Sequence, residues 1–451
     1  MLAPRRPLRV PDVSGAQQVR AQFTVGAAEA GPDWLAFLRE VCELLWPPPT
    51  VVTLENSGPT LLGLAEGRRQ AGAGSTVAVS PEAREFALVA GIHRPPLMVP
   101  ANRRSAAAAV RRHSRPRSAV ARMGVKALCL GLSAGLGGAA LRGRVRISVP
   151  AGADTIEEHL RTVLSRDLTV SMYLGPARAN RKPVLQLLAP GGEPVGFVKV
   201  GVNPLTRSLV RAEHDSLVRL AQAGLSQITI PEVLHYDRWH DLEVLVLSAL
   251  PAWLPPRRLP APRLIAAMAE LAEVGELRRE PLAASHYLCQ LRARLAATDR
   301  GPEQAALSNA LDVLAARDGQ EVLTYGAWHG DWSPWNMAST SGGLLVWDWE
   351  RFATGVPLGF DALHHWLQTS VAARRSDPRA IAARCLDRAP GHLAPFGLSR
   401  PQARLTAVLY LTDLATRYLT DRQARAGAPL GAPGGWLIPA IAQATREPGD
   451  R

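Results

Sequence analysis

The order of strand and helix signals after residue 150 constrains the fold of this chain more than any other feature. Three short apolar runs, TVSMYL, PVLQLL and GFVKVGV, are joined by the loops GPARANRK and APGGEP. Strand signals this close together, with turn residues between them, predict an antiparallel meander. A helix and a second β pair follow, and after about residue 262 the pattern is mostly helical. A β-rich unit before a helical unit predicts an α+β fold with two lobes.

The first 150 residues differ in composition and predict an additional N-terminal α/β domain. The helix pattern DWLAFLREVCELLW precedes the strand-like runs STVAVS and LMVP, and the Gly-rich AGAGST lacks the lysine of a phosphate-binding loop. We therefore divide the chain into an accessory domain of unknown role (1–150), a β-rich N-terminal lobe (151–250) and a helical C-terminal lobe (251–451).

Positive charge is concentrated in one part of that N-terminal region. The formal net charge of the chain is +13, and residues 101–150 hold 11 Lys or Arg with no acidic residue. We interpret RRSAAAAVRRHSRPRSAVARMGVK as an Arg-rich helix whose charges face water. An anionic membrane surface or a nucleic acid is the alternative partner for this stretch. The preferred interpretation is the solvated helix, because the stretch lacks the aromatic residues that stack on single-stranded bases.

The sequence predicts a cytoplasmic protein. The start, MLAPRRPLRVPDV, has no apolar segment of a secretory signal. The apolar run at 127–141 is shorter than the roughly 20 residues needed to span a bilayer and is rich in glycine, so we interpret it as a packed helix. Scattered cysteines without paired spacing predict reduced thiols. These are Cys42, Cys129, Cys289 and Cys385.

A lysine and a glutamate occupy unusual positions in the β-rich lobe. In GFVKVGV the strand period places Val198 and Val200 on one face and Lys199 on the other. In the next helix, Glu213 falls on the apolar stripe formed by leucines such as Leu217. A buried carboxylate is costly unless it is paired, which predicts a Lys199–Glu213 ion pair. A solvated strand lysine and a half-solvated glutamate at the edge of the stripe are the alternatives.

Three oxygen-bearing side chains cluster within the segment 331–348. Asp331 and Asn336 lie in WHGDWSPWNM, and Asp348 follows the turn-containing run MASTSGGLLVW, whose ends a hairpin would bring together. Carboxylate and amide oxygens are hard ligands that suit Mg²⁺. Asp331, on the loop that precedes this hairpin, could accept a proton from a hydroxyl nucleophile or orient that hydroxyl. A simple Asp-Ser-Pro turn with a capping Asn explains any one of these residues but explains all three poorly.

This segment resembles the catalytic segment of the aminoglycoside phosphotransferase and choline kinase group, within the protein-kinase-like fold. The group carries the motif H-G-D-x-x-x-x-N, which is matched here from His329 to Asn336, and then an apolar strand that ends in a metal-binding Asp, matched by Asp348. The later GVPLGFDALHHW resembles the segment in which an Asp, here Asp361, opens a helix. The resemblance covers roughly residues 165–370.

The resemblance also extends upstream and implies a role for each matched residue. Lys199 and Glu213 match the strand lysine and helix glutamate of the group in order and spacing. Lys199 would hold the α- and β-phosphates of ATP, and Glu213 would fix that lysine. Asp331 would be the base for the acceptor hydroxyl, and Asn336 and Asp348 would bind Mg²⁺.

The resemblance implies two further parts of a nucleotide site. The backbone near Leu247 and Leu250 would meet the adenine. Where related folds have a Gly-rich phosphate loop, this chain has GPARANRK, in which Gly175 is accompanied by Arg178 and other basic residues. These residues would contact phosphate in place of a glycine cradle or would recognise a phosphorylated acceptor. The remaining alternative is that the loop is an exposed basic hairpin.

The acceptor is constrained mainly by charge. Residues 351–451 contain 13 Arg against 7 Asp or Glu, which disfavours a polycationic aminoglycoside. The tryptophans near the base, Trp332, Trp335 and Trp349, would stack on a sugar or attract a quaternary ammonium group, or they simply pack between loop and helices. A sugar, a nucleoside-like compound and a small amino alcohol all stay open.

The sequence thus predicts an ATP- and Mg²⁺-dependent phosphotransferase that acts on a hydroxyl of a small molecule. The alternative is a catalytically inactive, kinase-like binding scaffold with a basic N-terminal interaction region. The complete set of five motif residues favours the enzyme. His364 and His365, at the start of a helix, are interpreted as structural because they lack a third partner at metal-ligand spacing.

Overall fold

Among the residues that the structure describes, nine strands form one antiparallel sheet. The computed structural model describes residues 33–56, 83–91, 94–113, 119–134, 143–373, 376–428 and 430–446. The strands are β1 (Val51–Asn56), β2 (Ala83–Gly91), β3 (Arg94–Pro100), β4 (Gly143–Ser148), β5 (Thr169–Leu174), β6 (Pro183–Leu188), β7 (Pro194–Gly201), β8 (Val233–Trp239) and β9 (Leu242–Ser248). Their spatial order is β1-β4-β2-β3-β5-β6-β7-β9-β8. The predicted meander is present as β5, β6 and β7.

The N-terminal strands continue this sheet. β3 pairs antiparallel with β5, with Met98 opposite Met172. Helix α1 (Asp33–Leu45) supplies Leu38 to the same apolar core that contains Val198 of β7. The described part of the first 150 residues therefore shares both a sheet and a core with the β-rich lobe. The domain boundary at residue 150 stays a prediction.

Two helices cover the N-terminal strands. They are α2 (Arg103–His113) and α3 (Ala119–Ser133). α2 buries an alanine-rich face that includes Ala106, while Arg104 and Arg111 are exposed, as expected for a basic helix with a solvated side. Within the described segments, no helix is both long and apolar enough to cross a membrane. The sequence-predicted strand STVAVS and the segment AGAGST lie outside the described residues.

Two capped helices flank the second half of the sheet. α4 (Ile156–Leu164) begins at Thr155, whose side chain accepts a hydrogen bond from the backbone N–H of Glu158. α5 (Pro204–Ala221) begins with a reciprocal capping box between Asn203 and Thr206. Such caps satisfy backbone donors that a helix start leaves free. α5 packs against β7 and β9 and carries the apolar stripe that the sequence predicted.

The remainder of the chain is mainly helical, as predicted. Its helices are α6 (Ala261–Ala272), α7 (His286–Ala296), α8 (Pro302–Asp318), α9 (Phe360–Ala372), α10 (Pro378–Leu393), α11 (Arg400–Thr420) and α12 (Leu437–Arg446). Its strands are β10 (Arg278–Pro281), β11 (Val322–Trp328), β12 (Met337–Thr340), β13 (Gly343–Val346) and β14 (Ala353–Pro357). β10, β11 and β14 form a small sheet, and β12 and β13 form a hairpin. The helices bury a continuous apolar core of their own.

Candidate active site

The β12–β13 hairpin brings together the residues on either side of it, Asn336 and Asp348. The backbone N–H of Trp347 donates to the carbonyl of Asn336 at 3.0 Å, so Asn336 and Asp348 lie at the same end of the hairpin. The loop before it requires Gly330, which has φ +82° and whose added Cβ would collide with the carbonyl oxygen of Arg351. A side chain there would be strained in both respects. The motif residues are therefore held on a tightly fitted loop.

The predicted Lys199–Glu213 ion pair is present and includes a third residue. Lys199 Nζ lies 2.6 Å from Glu213 Oε1 and 2.5 Å from Asp348 Oδ1. The backbone N–H of Trp349 also donates to Glu213, at 3.1 Å. Burial lowers the pKa of Lys199, but Asp348 and Glu213 outweigh it and the net pKa is raised. Lys199 is therefore a fixed cation that links the sheet to α5 and to the segment after β13 that carries Asp348.

A second lysine–glutamate pair stands beside the first. Lys182, at the end of the β5–β6 loop, forms a buried ion pair with Glu350. Asn180 of the same loop donates to Glu350 at 3.1 Å. The backbone N–H of Ala179 donates to Gln423 Oε1 at 3.2 Å. The basic loop is thus fastened to the helical half of the chain.

Three carboxylates converge between these two lysines. One oxygen from each of Glu213, Asp348 and Glu350 lies within 4.8 Å of the others. The cluster offers one oxygen from each of three carboxylates, and an all-oxygen donor set suits a hard cation such as Mg²⁺. The donors present therefore fit a divalent cation.

Asp348 is the member of this cluster that a ligand can reach. Its side chain is 27% exposed, whereas that of Glu213 is fully buried. Asp348 also adopts φ +74°, a conformation that a non-glycine residue rarely keeps without a compensating role. Burial raises the pKa of Asp348, but the charges of Lys199 and Lys182 lower it by more. The net pKa is therefore lowered and the carboxylate stays ionised. Its geometry and charge are those of a ligand-facing anion.

Asp331 is held by two side chains. Asn336 Nδ2 donates to Asp331 Oδ2 at 2.9 Å, and His364 Nε2 lies 2.8 Å from Asp331 Oδ1. His364 itself contacts the hydroxyl of Tyr410 at 3.0 Å. Burial raises the pKa of Asp331, but the hydrogen bond and the charge of His364 lower it more, and the net pKa is lowered. Asp331 is thus an oriented, ionised carboxylate whose side chain is 29% exposed.

Asp361 anchors the backbone of the motif. Its two carboxylate oxygens accept hydrogen bonds from the backbone N–H groups of His329 at 2.7 Å and Gly330 at 3.2 Å. The guanidinium of Arg417 donates to the carbonyl of Gly330 at 2.6 Å. Burial raises the pKa of Asp361 to about 7, against the effect of the two backbone donors and Arg417. As the sequence predicted, Asp361 lies in the first turn of a helix, α9.

The ring of His329 is a neutral bridge inside the loop. Its Nδ1 accepts from the backbone N–H of Asp331 at 3.1 Å, and its Nε2 lies 3.1 Å from the carbonyl of Trp347. Accepting at Nδ1 and donating from Nε2 define one neutral tautomer. Burial lowers the pKa of His329 to about 4.

This bridge predicts a loss of stability in mild acid. The pKa of His329 in the folded protein lies below the 6.5 of an exposed histidine. The contribution of neutral His329 to the free energy of unfolding is therefore complete above pH 6.5 and is lost as the pH falls towards 4. The difference between these two pKa values corresponds to about 3 kcal/mol in the free energy of unfolding. We expect His329→Gln to be less stable at pH 7 and to show a shallower decline in unfolding free energy between pH 6.5 and 4, measured by denaturant titration. His240→Ala, at a half-exposed position, is the control. An unchanged slope in His329→Gln would refute the assignment.

The other residues that the resemblance implies for the nucleotide site are Leu247, Leu250 and Arg178. Leu247 is buried inside the sheet, paired with Phe197 of β7 and Val233 of β8. Leu250 follows the end of β9, and its carbonyl accepts from the backbone N–H of Ala252 at 2.7 Å. Arg178 is half-buried in the β5–β6 loop. The structure brings none of these three into the cluster around Lys199, and their assignment to adenine and phosphate stays a prediction.

The tryptophans divide into two groups. Trp332 and Trp349 are fully buried in one apolar cluster, and their N–H groups contact Met337 Sδ at 3.3 Å and the carbonyl of Val346 at 3.2 Å. Trp335, by contrast, is 36% exposed. The two buried rings brace the loop, which agrees with the packing interpretation. Of these three tryptophans, only Trp335 presents its ring to solvent.

Sequence reasoning did not single out two residues of this centre. Glu350 lies two positions after Asp348, and this i, i+2 spacing of carboxylates was an available signal. His364 had been interpreted as structural, yet it is buried and bonded to Asp331. One turn separates it from Asp361 in α9, so both can face the motif loop. The spacing of three residues between Asp361 and His364 could have indicated that His364 also contacts the loop.

Comparisons with known proteins find similarity in structure alone. No protein-family model matches the chain, and no curated protein matches it by sequence. One similar structure is aminoglycoside phosphotransferase APH(4)-Ia with ADP and hygromycin B, at TM-score 0.44 and 14% identity, covering 65% of this chain and 99% of that one. Choline kinase LicA from Streptococcus pneumoniae is similar at TM-score 0.42 and 13% identity, covering 64% and 98%. A further match is amicoumacin kinase hAmiN in complex with AMP-PNP, Ca²⁺ and Ami, at TM-score 0.38 and 13% identity, covering 63% of this chain and 88% of that one. The named neighbours include an aminoglycoside phosphotransferase, a choline kinase and an amicoumacin kinase.

Proposed function

We propose that this protein is an ATP- and Mg²⁺-dependent kinase that transfers the γ-phosphoryl group to a hydroxyl of a small molecule. One observation carries the proposal: an oriented and partly exposed Asp331 lies on the same hairpin-linked segment as a cluster of carboxylates paired with Lys199. Phosphoryl transfer needs mainly positioning and charge neutralisation, and these residues supply both.

Each residue then has a defined part in the reaction. Lys199, held by Glu213, would neutralise the phosphates of the nucleotide. Asp331, oriented by His364 and Asn336, would accept the proton of the acceptor hydroxyl while the new oxygen–phosphorus bond forms and the bond to the leaving ADP breaks. Asp348, with Glu350 and Asn336, would hold Mg²⁺, which when bound neutralises charge on the phosphate oxygens.

The groups around Asp331 support an uncharged or anionic acceptor. Arg417 donates to the motif backbone, and Arg351 pairs with Asp421 beside it at 2.5 Å. His364 contacts the base directly. The guanidinium groups of Arg417 and Arg351 would disfavour a polycation, whereas a sugar or a nucleoside-like hydroxyl compound would not be repelled. Trp335 is the aromatic side chain we propose for stacking on such a ligand.

The proposal is tested first by nucleotide binding. Because the cluster has cation-binding carboxylates and a fixed lysine, we expect ATP with Mg²⁺ to raise the melting temperature of the full-length protein, and more so than either component alone. A screen of sugars, nucleosides and amino alcohols should then reveal acceptor-dependent ADP release. Absence of both effects would contradict the kinase and favour the binding scaffold.

A further inference from the structure

A second group of metal-ligating side chains lies away from the proposed kinase site. His159 projects from α4, and His235 and Asp237 project from the same face of β8, two residues apart. Nitrogen or oxygen atoms from all three lie within 4.8 Å of one another. Tyr236, between the two strand residues, points to the other face, where it stacks on His214 of α5 at 4.0 Å. The cluster is therefore on the opposite side of the sheet from the helix that carries Glu213.

The distances within this cluster suit a shared cation. His235 Nε2 lies 3.0 Å from Asp237 Oδ2, and His159 Nε2 lies 3.1 Å from the same oxygen. A tetrahedral zinc ion bound at 2.0–2.1 Å separates neighbouring ligand atoms by about 3.3 Å. The observed separations are within a few tenths of an ångström of that value.

One nitrogen of the cluster has a coordination position that a metal ion would fill. His235 Nε2 is buried and has no hydrogen-bond partner within the described residues, although Asp237 Oδ2 is only 3.0 Å away. The angles at His235 Nε2 and Asp237 Oδ2 therefore do not suit a hydrogen bond, although the two atoms are close. A buried polar atom left in this state is destabilising, and a metal ion between the nitrogen and the oxygen would satisfy both. His159 can instead donate to Asp237, but that bond would leave His235 unsatisfied.

We propose that His159, His235 and Asp237 form a binding site for a divalent transition-metal ion of the zinc type. Two imidazoles and one carboxylate favour such an ion over Mg²⁺, which prefers all-oxygen sites. The three side chains are 14%, 28% and 29% exposed, so the ion can enter from solvent and water can complete its coordination. Trp239 stacks on His159 at 5.7 Å and limits the rotation of that ring. The bound ion would fasten α4 to the edge strand β8.

Zinc titration of the metal-stripped, full-length protein tests this site. We use a Cys289→Ser background, because Cys289 is an exposed thiol that could bind zinc separately. One equivalent of Zn²⁺ should bind and raise the melting temperature, and Co²⁺ in its place should give the visible absorption of a tetrahedral or five-coordinate site. His235→Ala and, independently, His159→Gln should each weaken binding at least tenfold. Mg²⁺ should not compete.

Two controls make the result specific. His240→Ala removes a nearby histidine that pairs with Asp154 at 2.9 Å outside the cluster, and it should bind zinc like the parent. Asp348→Ala should also retain zinc binding, so the outcome is independent of the proposed kinase activity. Zinc binding that is absent from the parent, or equally tight in His235→Ala and His159→Gln, would overturn the proposal. The melting temperatures of the metal-free variants show whether each has folded.

Discussion

Replacing Asp331 with asparagine should lower the turnover number for phosphoryl transfer by about 10²- to 10⁴-fold, the range typical of a lost general base. Asparagine has nearly the same shape and keeps an oxygen that can accept from Asn336 or His364, so the loop geometry should persist. It cannot take up the hydroxyl proton at neutral pH. The affinity for ATP with Mg²⁺ should stay within about twofold of the parent, since Lys199 and Asp348 are untouched.

The matching experiment compares turnover and nucleotide binding in the same preparations. His364→Gln offers a graded control, because it keeps a hydrogen-bond donor towards Asp331 but removes the imidazole that lowers the pKa of that carboxylate. We expect it to retain more activity than Asp331→Asn and to change the pH profile of turnover. Full activity in Asp331→Asn with every accepted substrate would exclude Asp331 as the base.

The second large effect is expected from Asp348→Ala. The variant removes the exposed member of the carboxylate cluster and leaves Lys199 paired with Glu213, so the fold should be retained. Affinity for ATP in the presence of Mg²⁺ should fall by on the order of 100-fold, or about 2.7 kcal/mol. Affinity measured without Mg²⁺ should change much less.

Calorimetric titration with and without Mg²⁺ measures this difference directly. Asp215→Ala, which removes a 68% exposed carboxylate from α5, is the control for a general change in charge. It should bind the nucleotide like the parent under both conditions. If Asp348→Ala keeps the full Mg²⁺-dependent gain in ATP affinity, the metal is held elsewhere.

Local patterns predicted the parts of the centre that depend on short sequence separations. The alternation of β7 placed Lys199 opposite the valine face, the helical stripe buried Glu213, and the turn in the β12–β13 hairpin joined Asn336 to Asp348. Each of these follows from one periodicity or one turn. The same reasoning gave the meander and the helical second half.

Contacts between distant segments could not be read in this way. His364 reaches Asp331 only because α9 docks through Asp361, and Lys182 finds Glu350 across 168 residues. No periodicity encodes such pairings, which depend on how lobes and loops meet in three dimensions. The pairing of β3 with β5 was also not predictable, because the sequence of a strand does not indicate which other strand will pair with it.

That pairing has a consequence for how the chain folds during synthesis. Leu38 of α1 packs in a core completed by Val198 and Val246, about 160 and 210 residues later. Helix α1 therefore emerges from the ribosome long before its partners exist, and contacts this distant in sequence form slowly. Until β9 has been made, the apolar face of α1, including Trp46 just beyond its end, lacks its final cover. Helix α1 is thus synthesised well before β9 but is among the last elements to reach its native packing, and its apolar face is exposed during that delay.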